Sequence, residues 1–198
     1  MLRKWENVPV AWRQGLGSKL KRLADSVEGS QIVELAVALP FLMVLLVAIF
    51  DFGQAFNTKQ KINTAAREAA RFGSNQSTLD WSDPNAPSIL AARNVVSAYL
   101  TNAHLKDCGL LTAPVSYDNS THTWTFTATN CPANLVLVIQ RANTFQMTNG
   151  TNLIATKVTV TYPLQWHFGS VIKLIAPASN YPGPVFTITS NAVMANLT

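Results

Sequence analysis

Glu34 heads an uninterrupted apolar run, Leu35 to Phe50, and sits five places after Gly29. A carboxylate in a membrane segment costs on the order of 2.5 kcal/mol or more, so an acid in that position implies a function. The other candidates lie far downstream. His104 and Cys108 have an i,i+4 spacing that could share a metal, but a closed zinc site takes four ligands, and His122 and His167 fall elsewhere. Cys108 makes a better pair with Cys131. A disulfide between them would stabilise the fold by roughly 3 kcal/mol through the unfolded chain. Asp80 and Asp83 lie on either side of Trp81, as in a sugar-binding loop, although a solvated turn has the same composition. There is no phosphate-cradling glycine loop, GxSxG elbow or HExxH. No catalytic residue, metal ligand or cofactor is expected, and the chemistry of the chain centres on Glu34.

Glu34 needs a helix to hold it. From Gln31 to Phe72 the sequence reads as one helix of about 60 Å, at 1.5 Å per residue, with its first half in lipid. The run Leu35 to Phe50 covers only about 24 Å. Ile32, Val33, Phe52 and Phe56 must therefore complete the span. Pro40 removes the hydrogen bond to the Ala36 carbonyl and is expected to kink the helix. In the second half Gln54, Asn57, Lys61, Thr64, Glu68 and Arg71 form one polar face. Ala55, Ile62, Ala66, Ala69 and Gly73 form a stripe of mostly small residues beside it, which lets another backbone approach closely. That stripe either carries the chain's own domain or packs against a neighbouring molecule.

Ser74 to Pro87 is a turn-rich connection. Asp83 reads as an N-cap, with Pro84 at the first position of a second helix that reaches about Leu100. The period then changes from helical to two. Thr121 to Thr129 alternate with His122, Trp124, Phe126 and Ala128, as in a half-buried strand. Leu135–Gln140, Lys157–Tyr162 and Val185–Thr189 add three more strands, with Val158, Val160, Tyr162, Phe186 and Ile188 expected to face inward. Phe168 to Ile175 suggests a short helix ended by Pro177. The sum is an α+β fold: a long N-terminal helix, a second helix, then an antiparallel sheet.

Composition agrees with an anchored protein. Apolar residues make up 48% of the 198 and charged residues only 13%; the latter is about half the share of a soluble globular chain. Of the formal charge of +5, the first 29 residues hold +3, from Arg3, Lys4, Arg13, Lys19, Lys21 and Arg22 against Glu6, Asp25 and Glu28. A basic flank before an apolar span marks a cytoplasmic side. No basic stripe with interleaved aromatics follows, so nucleic acid is excluded as a partner. Both cysteines then fall outside the cytoplasm, where a disulfide persists.

The stretch Gly29-Ser30-Gln31-Ile32-Val33-Glu34-Leu35 resembles the processing site of type IV prepilins. Asp51-Phe52-Gly53 and Asn63-Thr64-Ala65-Ala66-Arg67-Glu68-Ala69-Ala70-Arg71-Phe72-Gly73 look like the TadE-like branch, the minor pseudopilins of tight-adherence (Flp-type) pilus systems. In this branch an aromatic usually follows the glutamate, where this chain has Leu35, and prepilins commonly carry basic residues before the glycine, where it has Glu28. The resemblance implies cleavage between Gly29 and Ser30 by a prepilin peptidase, with Glu34 becoming the fifth residue of the mature chain. The cut would leave an ammonium on Ser30 to pair with Glu34, fixing one subunit's axial register against the next. It also implies a pilin-like architecture in three parts: a basic cytoplasmic leader (1–29), a transmembrane and spine helix (30–73), and an extracytoplasmic α+β domain (74–198). The expected location is the cytoplasmic membrane, crossed once, with the N-terminus inside. The partners implied are the peptidase, other pilins and pseudopilins, pilus-assembly membrane proteins and the bilayer. The alternative is an uncleaved, membrane-tethered binding module or adhesin.

Overall fold

The computed structural model describes residues 27–77, 79–146, 150, 152–165 and 185–196. The leader up to residue 26 and the helix expected at Phe168–Ile175 lie outside the described residues. The chain divides into two compact units, Met1–Ala48 and Ile49–Thr198.

Helix α1 runs from Val27 to Ser74 and continues through Pro40. Its length follows from composition. No glycine or proline between Phe41 and Phe72 interrupts it except Gly53, and alanine and leucine, both strong helix formers, recur throughout. Helix α2 spans Pro87–Asn102. It begins later than the Asp83-Pro84 pair suggests. Asp83 Oδ1 instead accepts the Asn85 N–H at 2.8 Å, a local turn that competes with helix, while the Asp83 carbonyl accepts the Ala86 N–H. Pro87 takes the first helical position, where its missing N–H costs nothing.

Five strands follow: β1 Val115–Asp118, β2 Thr123–Ala128, β3 Leu135–Gln146, β4 Asn152–Gln165 and β5 Val185–Ala195. They form one antiparallel meander in the order β1-β2-β3-β4-β5. The first strand, β1, has no counterpart in the sequence reading, because four residues are too few for alternation to stand out. His122, expected in β2, lies in the preceding turn with φ 46°. The later strands all outrun the segments expected for them. Pro163 is tolerated in β4 because β3 pairs with β4 only as far as Thr161, leaving that end an edge on one side.

Register aligns the inward residues in rows. Tyr117, Trp124, Ile139, Val158 and Ala192 make one, and Val115, Phe126, Leu137, Val160 and Ser190 the next. Trp124, Phe126, Leu137, Ile139, Val158, Val160 and Ala192 of these rows, with Ile89, Ala92, Val96 and Leu100 of α2 and Ile62, Ala66, Ala69 and Ala70 of α1, belong to one buried core, against which Val115 and Tyr117 pack. The opposite face carries Thr125, Thr127, Thr159 and Thr161, as the alternation requires. One inward expectation fails: Ile188 is buried, but Phe186 is 52% exposed.

The small-residue stripe of α1 serves the chain's own domain. Ile62, Ala65, Ala66, Ala69 and Ala70 are completely buried. At Gly73 a Cβ would meet Thr156 Cγ2 of β4 at 3.1 Å, so the absent side chain sets how closely helix and sheet approach.

Candidate functional site

In the first turns of α1, the Ser30 hydroxyl donates to Glu34 Oε1 at 3.3 Å, one turn further along an exposed surface. Gly29 lies within the same first helical turn. From Ile32 to Phe50 most of the large apolar side chains are 42–75% exposed, while Val44 and Val47 are half-buried. Its most apolar stretch has a mean hydropathy of 2.8, and α1 is long and apolar enough to cross a membrane. An apolar surface of this extent is not stable against water and requires lipid or a partner.

Cys108 and Cys131 are joined by a disulfide, with Cα atoms 5.2 Å apart. The bond ties the turn after α2 to the β2–β3 connection. Around it, Asp107 Oδ1 accepts the Gly109 N–H at 3.2 Å, Asp107 Oδ2 accepts the Ser97 hydroxyl at 2.9 Å, and the Cys108 carbonyl accepts the Asn130 N–H at 3.1 Å. Gly109 has φ +81°, and a Cβ there would lie 2.5 Å from Asn130 Nδ2. Neither His104 nor Cys108 lies on a helix, both have positive φ, and the Cys108 sulfur is committed to Cys131, so this pair does not form a metal site. Among the described residues no three His, Cys, Asp or Glu side chains gather as a metal ion would need.

The Asp80-Trp81-Asp83 segment is a turn, exposed from Ser82 to Asn85, with Asp80 and Trp81 half-buried. It is docked onto the sheet by Arg141, which is completely buried. Arg141 Nη1 donates to Ser88 Oγ at 3.1 Å, and Nη2 donates to the carbonyls of Gln76 and Ser77 at 2.9 and 3.3 Å. Its guanidinium lies 5.9 Å from the centre of the Trp81 ring. Asp80 Oδ2 accepts the Ser88 N–H, and the Asp83 carbonyl accepts Trp124 Nε1–H at 3.1 Å. Burial pushes the Arg141 pKa down and the Asp80 charge opposes that shift. A bulge between Gln140 and Asn143 lets β3 carry Arg141 and Ala142 opposite Thr156. The signal for this clamp was present in the sequence. Arg141 follows Leu135, Leu137 and Ile139 in the same inward parity, a cation on a core face.

At the far sheet edge, Asp118 closes the β1–β2 turn. Its Oδ1 accepts the Ser120 hydroxyl at 2.7 Å and backbone N–H at 2.9 Å, and Oδ2 accepts the Thr121 hydroxyl at 2.8 Å. The Ser120 hydroxyl bond, then that from Thr121, hold the Asp118 carboxyl below its ordinary range.

The class these features define is an α+β domain on a helix fit to cross a membrane, with an acid at the helix head. Residues 29–71 match the family model described as TadE-like protein. The match covers 43 of the 198 residues, all of them in α1. The match coincides with the segment, Gly29 to Gly73, that carries the sequence resemblance. Neither the curated proteins nor the solved structures include a match to the chain.

Proposed function

We propose that this chain is a minor pseudopilin that helps start or anchor assembly of a tight-adherence pilus. The observation that carries the reading is the coincidence of the TadE-like match with the one membrane-compatible helix among the described residues, which Glu34 heads. In this reading α1 sits in the cytoplasmic membrane, residues 1–29 are cytoplasmic, and the domain built from residues 74–198 lies outside. A prepilin peptidase cuts between Gly29 and Ser30. The new ammonium and the Glu34 carboxylate then pair, within a chain or between neighbours, which offsets two charges that would each be costly alone in low dielectric. Pro40, which leaves the Ala36 carbonyl without its usual donor, is the bend point of the span. The chain's size supports a minor role, since the main subunits of such pili are very short.

The first test is the N-terminal residue and intact mass of protein purified from its native membrane. A start at Ser30 supports processing. A start at Met1, with the leader retained, moves the reading to a tethered binding module. Gly29→Trp should leave a full-length precursor. Glu34→Val should be cut normally yet fail to join the pilus machinery, and normal piliation in that strain would sink the register role.

A further inference from the structure

An apolar groove of about 510 Å³ runs between α1 and the start of β5, lined by Phe52, Ala55, Phe56 and Lys59 on one side and Phe186 to Thr189 on the other. Its helical wall continues a stripe that begins in the apolar run. Leu42, Leu45, Ile49, Phe52 and Phe56, spaced by threes and fours, all stand more than half exposed. The next residue at that spacing is Lys59, whose Nζ donates to the Thr189 carbonyl and so ties α1 to β5 beside the groove.

Resting on the reading of α1 as a membrane anchor, we infer that this groove lies in the bilayer interface, its occupant being lipid, so that the leading end of β5 is held against the membrane. The argument is one of length. A hydrocarbon core of about 30 Å takes about 20 helical residues. Counted from Ile32 or from Leu35, the core ends near residue 51 or 54. Phe52 then lies at the hydrocarbon boundary, and Phe56 about 3–8 Å beyond it, at headgroup depth. Tilt of the helix would draw both residues deeper. Phe186 shares the groove with them and reaches the same depth, which gives a physical reason for an aromatic ring that the sheet leaves 52% exposed. Lys59 completes the pattern: a long apolar stem with a cationic head suits the boundary between acyl chains and phosphates. Asp51, the only acid between Glu34 and Glu68, is consistent with this placement because it is 4% exposed and so is not presented to lipid.

The test uses the full chain in vesicles of phosphatidylethanolamine and phosphatidylglycerol. Both native cysteines are in the disulfide, so single added cysteines accept a nitroxide. Phe186→Cys reports the groove, Leu46→Cys the span and Ser116→Cys the far sheet edge. The collision rate of each nitroxide with oxygen, relative to a water-soluble nickel complex, measures lipid exposure. We expect that ratio at 186 to exceed that at 116 several-fold and to approach that at 46. A water-like 186 beside a lipid-like 46 overturns the inference while leaving the anchor intact. A nitroxide at 186 shielded from both reagents also overturns it, since the groove is then filled by protein. A water-like 46 removes the anchor and the inference together.

Discussion

Residues 35–50 and 58–74 belong to one continuous helix, yet they present opposite surfaces. The first stretch carries most of its Leu, Val, Ile and Phe outward, whereas the second turns Ile62, Ala65, Ala66, Ala69 and Ala70 inward until nothing of them is exposed. Helix formation is the same in both; side-chain size and polarity differ. Bulky apolar residues turned outward suit a fluid solvent of acyl chains, which accepts any shape. A narrow alanine stripe with Glu68, Arg71 and Thr64 beside it suits a fixed protein surface, because small side chains let a sheet approach and polar ones keep the other face wet. One unbroken helix thus presents a lipid-compatible surface at one end and a protein-packing stripe at the other.

The largest effects should come from moving cations in this comparison. Arg141→Ala removes the buried clamp on the 76–88 segment and leaves Ser88, the Gln76 and Ser77 carbonyls and Asp80 without their cation. A loss of about 3 kcal/mol is expected from the buried hydroxyl and carbonyls left unpaired, read as a fall in the denaturant midpoint of the domain. The reverse change, Leu46→Arg, should cost about 2.5–3.5 kcal/mol of membrane insertion while leaving that midpoint in place. If both substitutions lowered the midpoint equally, the division of α1 between lipid and protein would be wrong.

Next in size, Ala69→Leu adds volume where none is free and should destabilise the domain by about 1–3 kcal/mol. Leu45→Ala removes more volume yet should change domain stability by less than about 0.5 kcal/mol. Paired chemical denaturation of the two variants in the same detergent sharpens the comparison. The smallest effect belongs to Asp118. Its carboxyl titrates below the ordinary value in the folded protein, so the stabilisation is present above the unfolded pKa and is lost as pH falls through the folded one. Nuclear magnetic resonance should find Asp118 titrating lower than an ordinary aspartate, and Asp118→Asn should remove that acid-dependent loosening of the β1–β2 turn.

Several elements were legible before any coordinates. The long helix, the alanine stripe, the inward parity of Trp124, Phe126, Val158 and Val160, and the Cys108–Cys131 pairing all follow from local period or residue type. The start of α2 was misplaced because two prolines stand three apart, and both Asp83-Pro84 and Ala86-Pro87 are good openings. What decided between them was the docking of the 76–88 segment on Trp124 and Arg141. Phe186 was expected inward by parity alone, but parity carries no information about where a sheet outruns the core beneath it.

By itself the sequence determined the long helix, the cores of β2 to β5, which stretch is apolar enough to cross a membrane, and the acid at its head, since these depend on neighbours within a few residues. Only the tertiary structure decided that the alanine stripe is covered by the chain's own sheet. It alone decided that Arg141 reaches carbonyls 64 and 65 residues away, and that Phe186 meets Phe52 and Phe56 in one groove. The physical reason is that periodicity orients a side chain toward a face, but the partner on that face is chosen by register, bulge and loop docking. Those are set by packing between residues far apart in the chain.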